Sequence, residues 1–150
     1  MPTATTGFSH EAALLDSSEY DIRQSNLRTV TQSRQVDFED LWDAWKLCSS
    51  PNWDGDGARE VEQDCYRVAY RFIEEIPTSL PSPTISGEPD GHINLEWYSA
   101  SRRTVSVSIS PDGTVYWASL IGTERMRAAF HFTGELPKTL LSSIARVNAG

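Results

Sequence analysis

Apolar residues follow two different periods along the chain, and the change between them divides it. In DFEDLWDAWKLC, Phe38, Leu41, Trp42, Trp45 and Leu47 or Cys48 recur at spacings of three and four, the spacing of one face of a helix. Asp37 stands where an N-cap would, and Ser49, Ser50 and Pro51 end the run. EVEQDCYRVAYRFIEEI repeats the pattern through Val61, Cys65, Val68, Ala69, Phe72, Ile73 and Ile76, with acids at its start where the helix dipole favours them. Pro77, Pro81 and Pro83 then interrupt it, so PTSLPSPTISGEPDG is predicted as an extended connector.

Beyond that connector the period becomes two. HINLEWY alternates Ile93, Leu95 and Trp97 with His92, Asn94 and Glu96, and TVSVSIS alternates Val105, Val107 and Ile109 with polar neighbours. Ser110-Pro111-Asp112-Gly113 signals a turn, and TVYWASL and RMRAAFHF supply two further strands around Ile121-Gly122-Thr123. ELPKTLLSSIARV closes the chain as a helix, with Pro137 tolerable only in its first turn. The prediction is an α+β domain over residues 37–150: two N-terminal helices, a four-stranded antiparallel meander and a C-terminal helix. Residues 1–36, rich in Ser, Thr and Gln without sustained periodicity, are expected to form a flexible arm.

Composition narrows the function classes. At 39% hydrophobic with five tryptophans, the 150 residues can support one folded core. No apolar run approaches the roughly 18 residues of a membrane span, and the N-terminus lacks the basic start and apolar core of a signal peptide. A cytoplasmic protein without membrane contact is expected. Cys48 and Cys65 are too few for a disulfide framework and too isolated for a zinc site, so both read as small core residues. The formal charge of -8 disfavours direct nucleic-acid binding. Between Asp37 and Asp64 nine carboxylates face only Lys46 and Arg59, so a charged partner of that segment should be basic.

Three constellations could carry chemistry. In PNWDGDGAR, the residues Asn52, Asp54, Asp56 and Gly57 match positions one, three, five and six of a calcium-binding loop. The bidentate Glu that such a loop needs at its twelfth position is Gln63, and Arg59 takes the usual aliphatic place. The same stretch also reads as a helix-helix corner, with Gly55 and Gly57 allowing left-handed backbone, Asp54 or Asp56 making an Asx-turn and Trp53 as its anchor. On the sheet, alternation places His92, Asn94, Glu96, Ser106, Ser108, Arg125, Arg127 and His131 on one face, either a solvated surface or a site centred on Glu96, Arg127 and His131. No Gly-x-Ser-x-Gly, His-Glu-x-x-His, phosphate loop or Cys-x-x-Cys occurs. In the first helix Trp42 and Trp45 cannot both point inward beside Phe38 and Leu41, and an exposed aromatic amid Asp37, Asp40 and Asp43 suits a binding hot spot.

The run from Asn52 to Trp97 resembles a family of small, uncharacterised bacterial proteins. There Asn-Trp-Asp-Gly-x-Gly-Ala precedes a helix, and a proline-rich connector ending in Asp-Gly leads to a strand containing Leu-Glu-Trp. The matching residues are Asn52, Trp53, Asp54, Gly55, Gly57, Ala58, Pro81, Pro83, Asp90, Gly91, Leu95, Glu96 and Trp97. The resemblance covers about residues 38–142. It implies no activity, and Asp56 falls at a position that varies in the family, which weighs against calcium. It further implies an accessory gene of the kind found beside toxin-antitoxin or defence loci. A non-enzymatic protein-binding module, antitoxin-like or immunity-like, is expected, one that uses Asp37, Asp40, Trp42, Asp43 and Trp45 toward a basic protein and needs no cofactor. A divalent-ion-binding regulatory domain and an enzyme on the open sheet face are the alternatives.

Overall fold

The computed structural model describes residues 34–149. The expected arm therefore lies outside the described residues, except for its last three positions. Three helices and five strands follow: α1 over 34–48, α2 Gln63–Glu75, β1 Thr84–Gly87, β2 Ile93–Ala100, β3 Arg103–Ile109, β4 Thr114–Ile121, β5 Glu124–His131 and α3 Lys138–Val147. The strands pair in chain order, every pair antiparallel, so the α+β class stands.

Among the described residues the sheet has five strands, one more than predicted. Thr84-Ile85-Ser86-Gly87, placed within the connector by its prolines, instead pairs with Glu96 through Ile93 of β2. Pro81 and Pro83 sit before this strand, where their missing N–H groups cost no ladder bond. It pairs with β2 across the short connection 88–92, and its four residues, only two of them partly buried, leave little alternation to read.

One face of the sheet carries the core. Leu95, Val107 and Trp117 lie side by side across β2, β3 and β4. They are buried under Cys65, Ala69, Phe72 and Ile73 of α2 and Leu140, Ile144 and Val147 of α3. The alternation therefore marks the faces correctly, because only one side of the sheet is covered by helices. The Trp97 indole N–H donates to the Pro81 carbonyl at 2.7 Å, tying the connector to β2.

Two element starts differ from expectation. The second helix begins at Gln63, not Glu60, with Glu62 at the cap position and no side-chain cap bond. Residues 59–62 are non-helical: the Arg59 N–H donates to the Pro89 carbonyl and the Val61 N–H to the Cys48 carbonyl, both at 2.8 Å. Val61 is thus buried as part of a strap, not of a helical stripe. The first helix already includes residue 34, which puts Asp37 inside it and not at its cap. No described helix is long and apolar enough to cross a membrane.

Candidate partner-binding surface

Helix α1 packs through Leu41 and Cys48, both buried, and turns a ridge of other residues outward. Its two tryptophans take different roles. Trp45 is half-buried and its indole N–H donates to the Val61 carbonyl at 2.9 Å, which fixes the strap against α1. Trp42 remains 45% exposed, its ring 5.5 Å from that of Trp45 and 5.7 Å from Tyr66 of α2. Phe38 stacks on Tyr70 at 4.2 Å, so an aromatic shelf runs along the α1–α2 seam. The Lys46 ammonium lies 5.9 Å over the Trp42 ring, a geometry in which the π face attracts a cation.

Around this shelf the carboxylates divide. Glu39 and Asp43 join Gln35, Phe38 and Trp42 around a hollow of about 370 Å³. Asp40 and Asp43 join Leu47, Pro83 and Ile85 around a second hollow of about 330 Å³, between α1 and β1. Val36 and Leu47 are 50% and 79% exposed on the same ridge. Asp37 leaves the expected set. It is buried, with one carboxylate oxygen lacking a partner among the described residues, and it cannot meet a partner on the ridge. Burial raises its pKa above the ordinary aspartate value, opposed by a Ser82 hydrogen bond and by the Arg34 charge.

The loop after α1 uses Asn52 and Asp54 internally. Asp54 Oδ1 accepts from the Asp56 N–H at 2.8 Å and the Ala58 N–H at 3.0 Å, while Asn52 Oδ1 accepts from the Gly57 N–H at 2.7 Å. Those amide bonds also hold the Asp54 carboxyl below its ordinary range. Gly55 and Gly57 take φ of 78° and 86°, and Asn52 takes 58°. The oxygens of Asn52 and Asp54 that a calcium ion would use thus close an Asx-type turn. No group of three His, Cys, Asp or Glu suited to a metal occurs among the described residues. The Trp53 indole N–H donates to the Arg59 carbonyl at 2.8 Å, which anchors the corner.

The two thiols are core groups. The Cys65 S–H lies 3.0 Å from the Ile109 carbonyl and burial pushes its pKa up to about 12; burial also raises Cys48.

The open sheet face holds the residues that alternation put there, but it spreads them. Glu96, Ser106, Ala118 and Arg127 form one cross-strand row, so Glu96 and Arg127 stand three strand spacings, roughly 14 Å, apart. His131 lies four residues further along β5, roughly 13 Å from Arg127. His92 Nδ1 lies 3.0 Å from the Ser108 hydroxyl and 3.6 Å from an Asp90 oxygen. Both contacts fall on one nitrogen, whereas a Ser-His-Asp relay uses opposite ring nitrogens.

A feature the sequence reading missed is a cleft of about 460 Å³ where three turns meet. It is lined by Arg59, Glu60 and Glu62 of the strap, Asp90 and His92 before β2, and Ser110 after β3. The recurring Asp-Gly pairs marked each turn, but nothing local showed that those turns share one end of the sheet. No family model, curated protein or solved structure matches the chain.

Proposed function

We propose that the protein is a non-enzymatic binding module that engages a basic protein partner through the outer ridge of α1, in an antitoxin-like or immunity-like role. The reading rests on one observation. Glu39, Asp40 and Asp43 are interleaved on that ridge with exposed Val36, Trp42 and Leu47. A merely solvated helix face has no use for three large apolar side chains, whereas a desolvating contact uses them as its centre with charges at its rim. Trp42 contributes an aromatic face that already holds a lysine ammonium nearby. Glu39, Asp40 and Asp43 match a surface rich in Lys and Arg, and occlusion of such a surface is how this module would neutralise its partner. Trp45 belongs to the support of the ridge, and Asp37 to the interior.

A labelled amphipathic lysine-leucine peptide provides the test, titrated against the full chain. Asp40→Lys with Asp43→Lys, and separately Trp42→Ala, should each weaken binding about tenfold or more. Asp56→Lys with Glu60→Lys changes net charge equally at a distance from the ridge and should leave affinity within about twofold. Equal losses for both reversals would reduce the interaction to net charge and remove the ridge from the account.

A further inference from the structure

Strand β5 is eight residues long, and seven of them are exposed. A strand in a one-sided sheet ordinarily buries alternate residues. Here α2 and α3 pack over β2 to β4, leaving Met126 44% exposed and Ala128 exposed on the helix-side face. The opposite edge strand differs. β1 is four residues long, Pro83 precedes it, and Gly87 is pressed against Cys48 of α1. Short length, proline and cover are the usual ways of blunting a sheet edge. β5 has neither Pro nor Gly, pairs with β4 at every position from Glu124 to His131, and has no strand on its outer side among the described residues.

The hydrogen-bond phase of that edge can be read directly. The Phe132 N–H donates to the Gly113 carbonyl at 2.9 Å, and the two-residue turn Gly122-Thr123 closes the hairpin at Ile121 and Glu124. Antiparallel strands alternate inward- and outward-directed amides. The N–H and C=O groups of Glu124, Met126, Ala128 and Phe130 therefore point to β4. Those of Arg125, Arg127, Ala129 and His131 point away from the sheet. The side chains of this second set lie on the open face, and neither Arg125 nor Arg127 has an ion-pair partner among the described residues.

We propose that the outer edge of β5 receives, as a sixth strand, an extended peptide whose side chains alternate carboxylate and apolar. Outward amides and carbonyls at alternate positions supply main-chain bonds to any extended segment. Side-chain pairing then selects the segment. Residues opposite Arg125 and Arg127 meet two guanidinium groups and should be Asp or Glu. Their neighbours meet Met126 and Ala128 and should be apolar. A second copy of β5 fits less well, because self-pairing crowds four arginines and two histidines onto one face. This surface is separate from the α1 ridge and opposite to it in charge.

The test titrates the full chain with labelled peptides of alternating glutamate and valine or alternating lysine and valine. Saturable binding of the glutamate peptide alone is expected. Ala129→Pro deletes an outward N–H without touching the β4 ladder and should abolish binding, while Arg125→Glu with Arg127→Glu should transfer the preference to the lysine peptide. Hydrogen exchange on the wild-type complex gives a readout independent of any variant's folding. The amides of Arg125, Arg127, Ala129 and His131 should slow about tenfold or more, and those of β1 should not change. Absence of saturation at millimolar peptide, equal binding of both peptides, or binding without protection of those four amides would each overturn the proposal, leaving the arginines as edge guards against aggregation.

Discussion

At the scale of single residues, Asp37 shows how far a side chain's role departs from its chemical type. The residue is 7% exposed, one of its carboxylate oxygens lacks a partner among the described residues, and its pKa lies above 3.8, with burial the largest cause. A raised folded value means that the native state binds its proton more tightly than the unfolded chain. The resulting contribution to stability is fully present below the unfolded value of 3.8 and is lost as pH rises through the folded value. At neutral pH the ionised group is therefore a liability. Asp37→Asn should raise the urea midpoint at pH 7, and the two proteins should converge near about pH 3, where both carry a neutral side chain. A gap of the same size at both pH values would assign the effect to packing instead. The loop acid Asp54 behaves in the opposite sense: backbone amides depress its pKa, so its support is present above the ordinary aspartate value and fades as pH falls through the lower folded one.

At the scale of elements, the close approach of α1 to β1 is set by Gly87. A Cβ there would stand 2.7 Å from both Cβ and Sγ of Cys48, closer than packed atoms tolerate. Gly87→Ala should cost roughly 1–3 kcal/mol through overpacking, and Cys48→Ala in the same chain should recover part by removing the sulfur. Gly57→Ala makes a useful contrast. Its Cβ would meet nothing within 4 Å, but its φ of 86° is left-handed, so the cost, about 1 kcal/mol, is conformational and independent of residue 48. Urea melts of the single and double variants give the coupling, and full additivity of Gly87→Ala with Cys48→Ala would dismiss the steric explanation. This contact also explains the limits of what could be read from sequence. Long strands such as β3 declare themselves, because Val105, Val107 and Ile109 alternate over a buried face. β1 does not, since its pairing and its cover come from β2 and α1. The ridge was legible as a mixture of acids and aromatics, but not which members face out. Trp42 and Trp45 are separated by contacts with the strap and α2, and Asp37 is buried at a place where Ser82 approaches it from the connector.

At the scale of the whole molecule, electrostatics act on stability and on the proposed binding with opposite signs. The chain carries a formal charge of -8, and nine of its carboxylates fall between Asp37 and Asp64. Eight of these are exposed, and among the described residues only two, Asp43 and Asp64, lie within 4 Å of a lysine or arginine, at 3.4 Å and 3.6 Å. Exposed pairs of this kind stabilise little, so like-charge repulsion dominates the segment. Salt shortens the screening length to about 8 Å at 0.15 M and relieves that repulsion. The melting midpoint should therefore rise between about 0.01 M and 0.15 M sodium chloride. Over the same range, affinity of the α1 ridge for a basic peptide should fall, because the attraction is screened by the same ions. Replacing sodium chloride with an equal ionic strength of another simple monovalent salt should leave both trends in place, since neither depends on a specific ion. Differential scanning fluorimetry and peptide titration on one set of buffers measure both. Should stability fall as salt is added, the acidic segment would have to be held by attractions absent from the ion pairs seen here. Should affinity stay flat while stability rises, the ridge would act through Trp42, Val36 and Leu47 alone, with its carboxylates serving only to keep that apolar surface in solution.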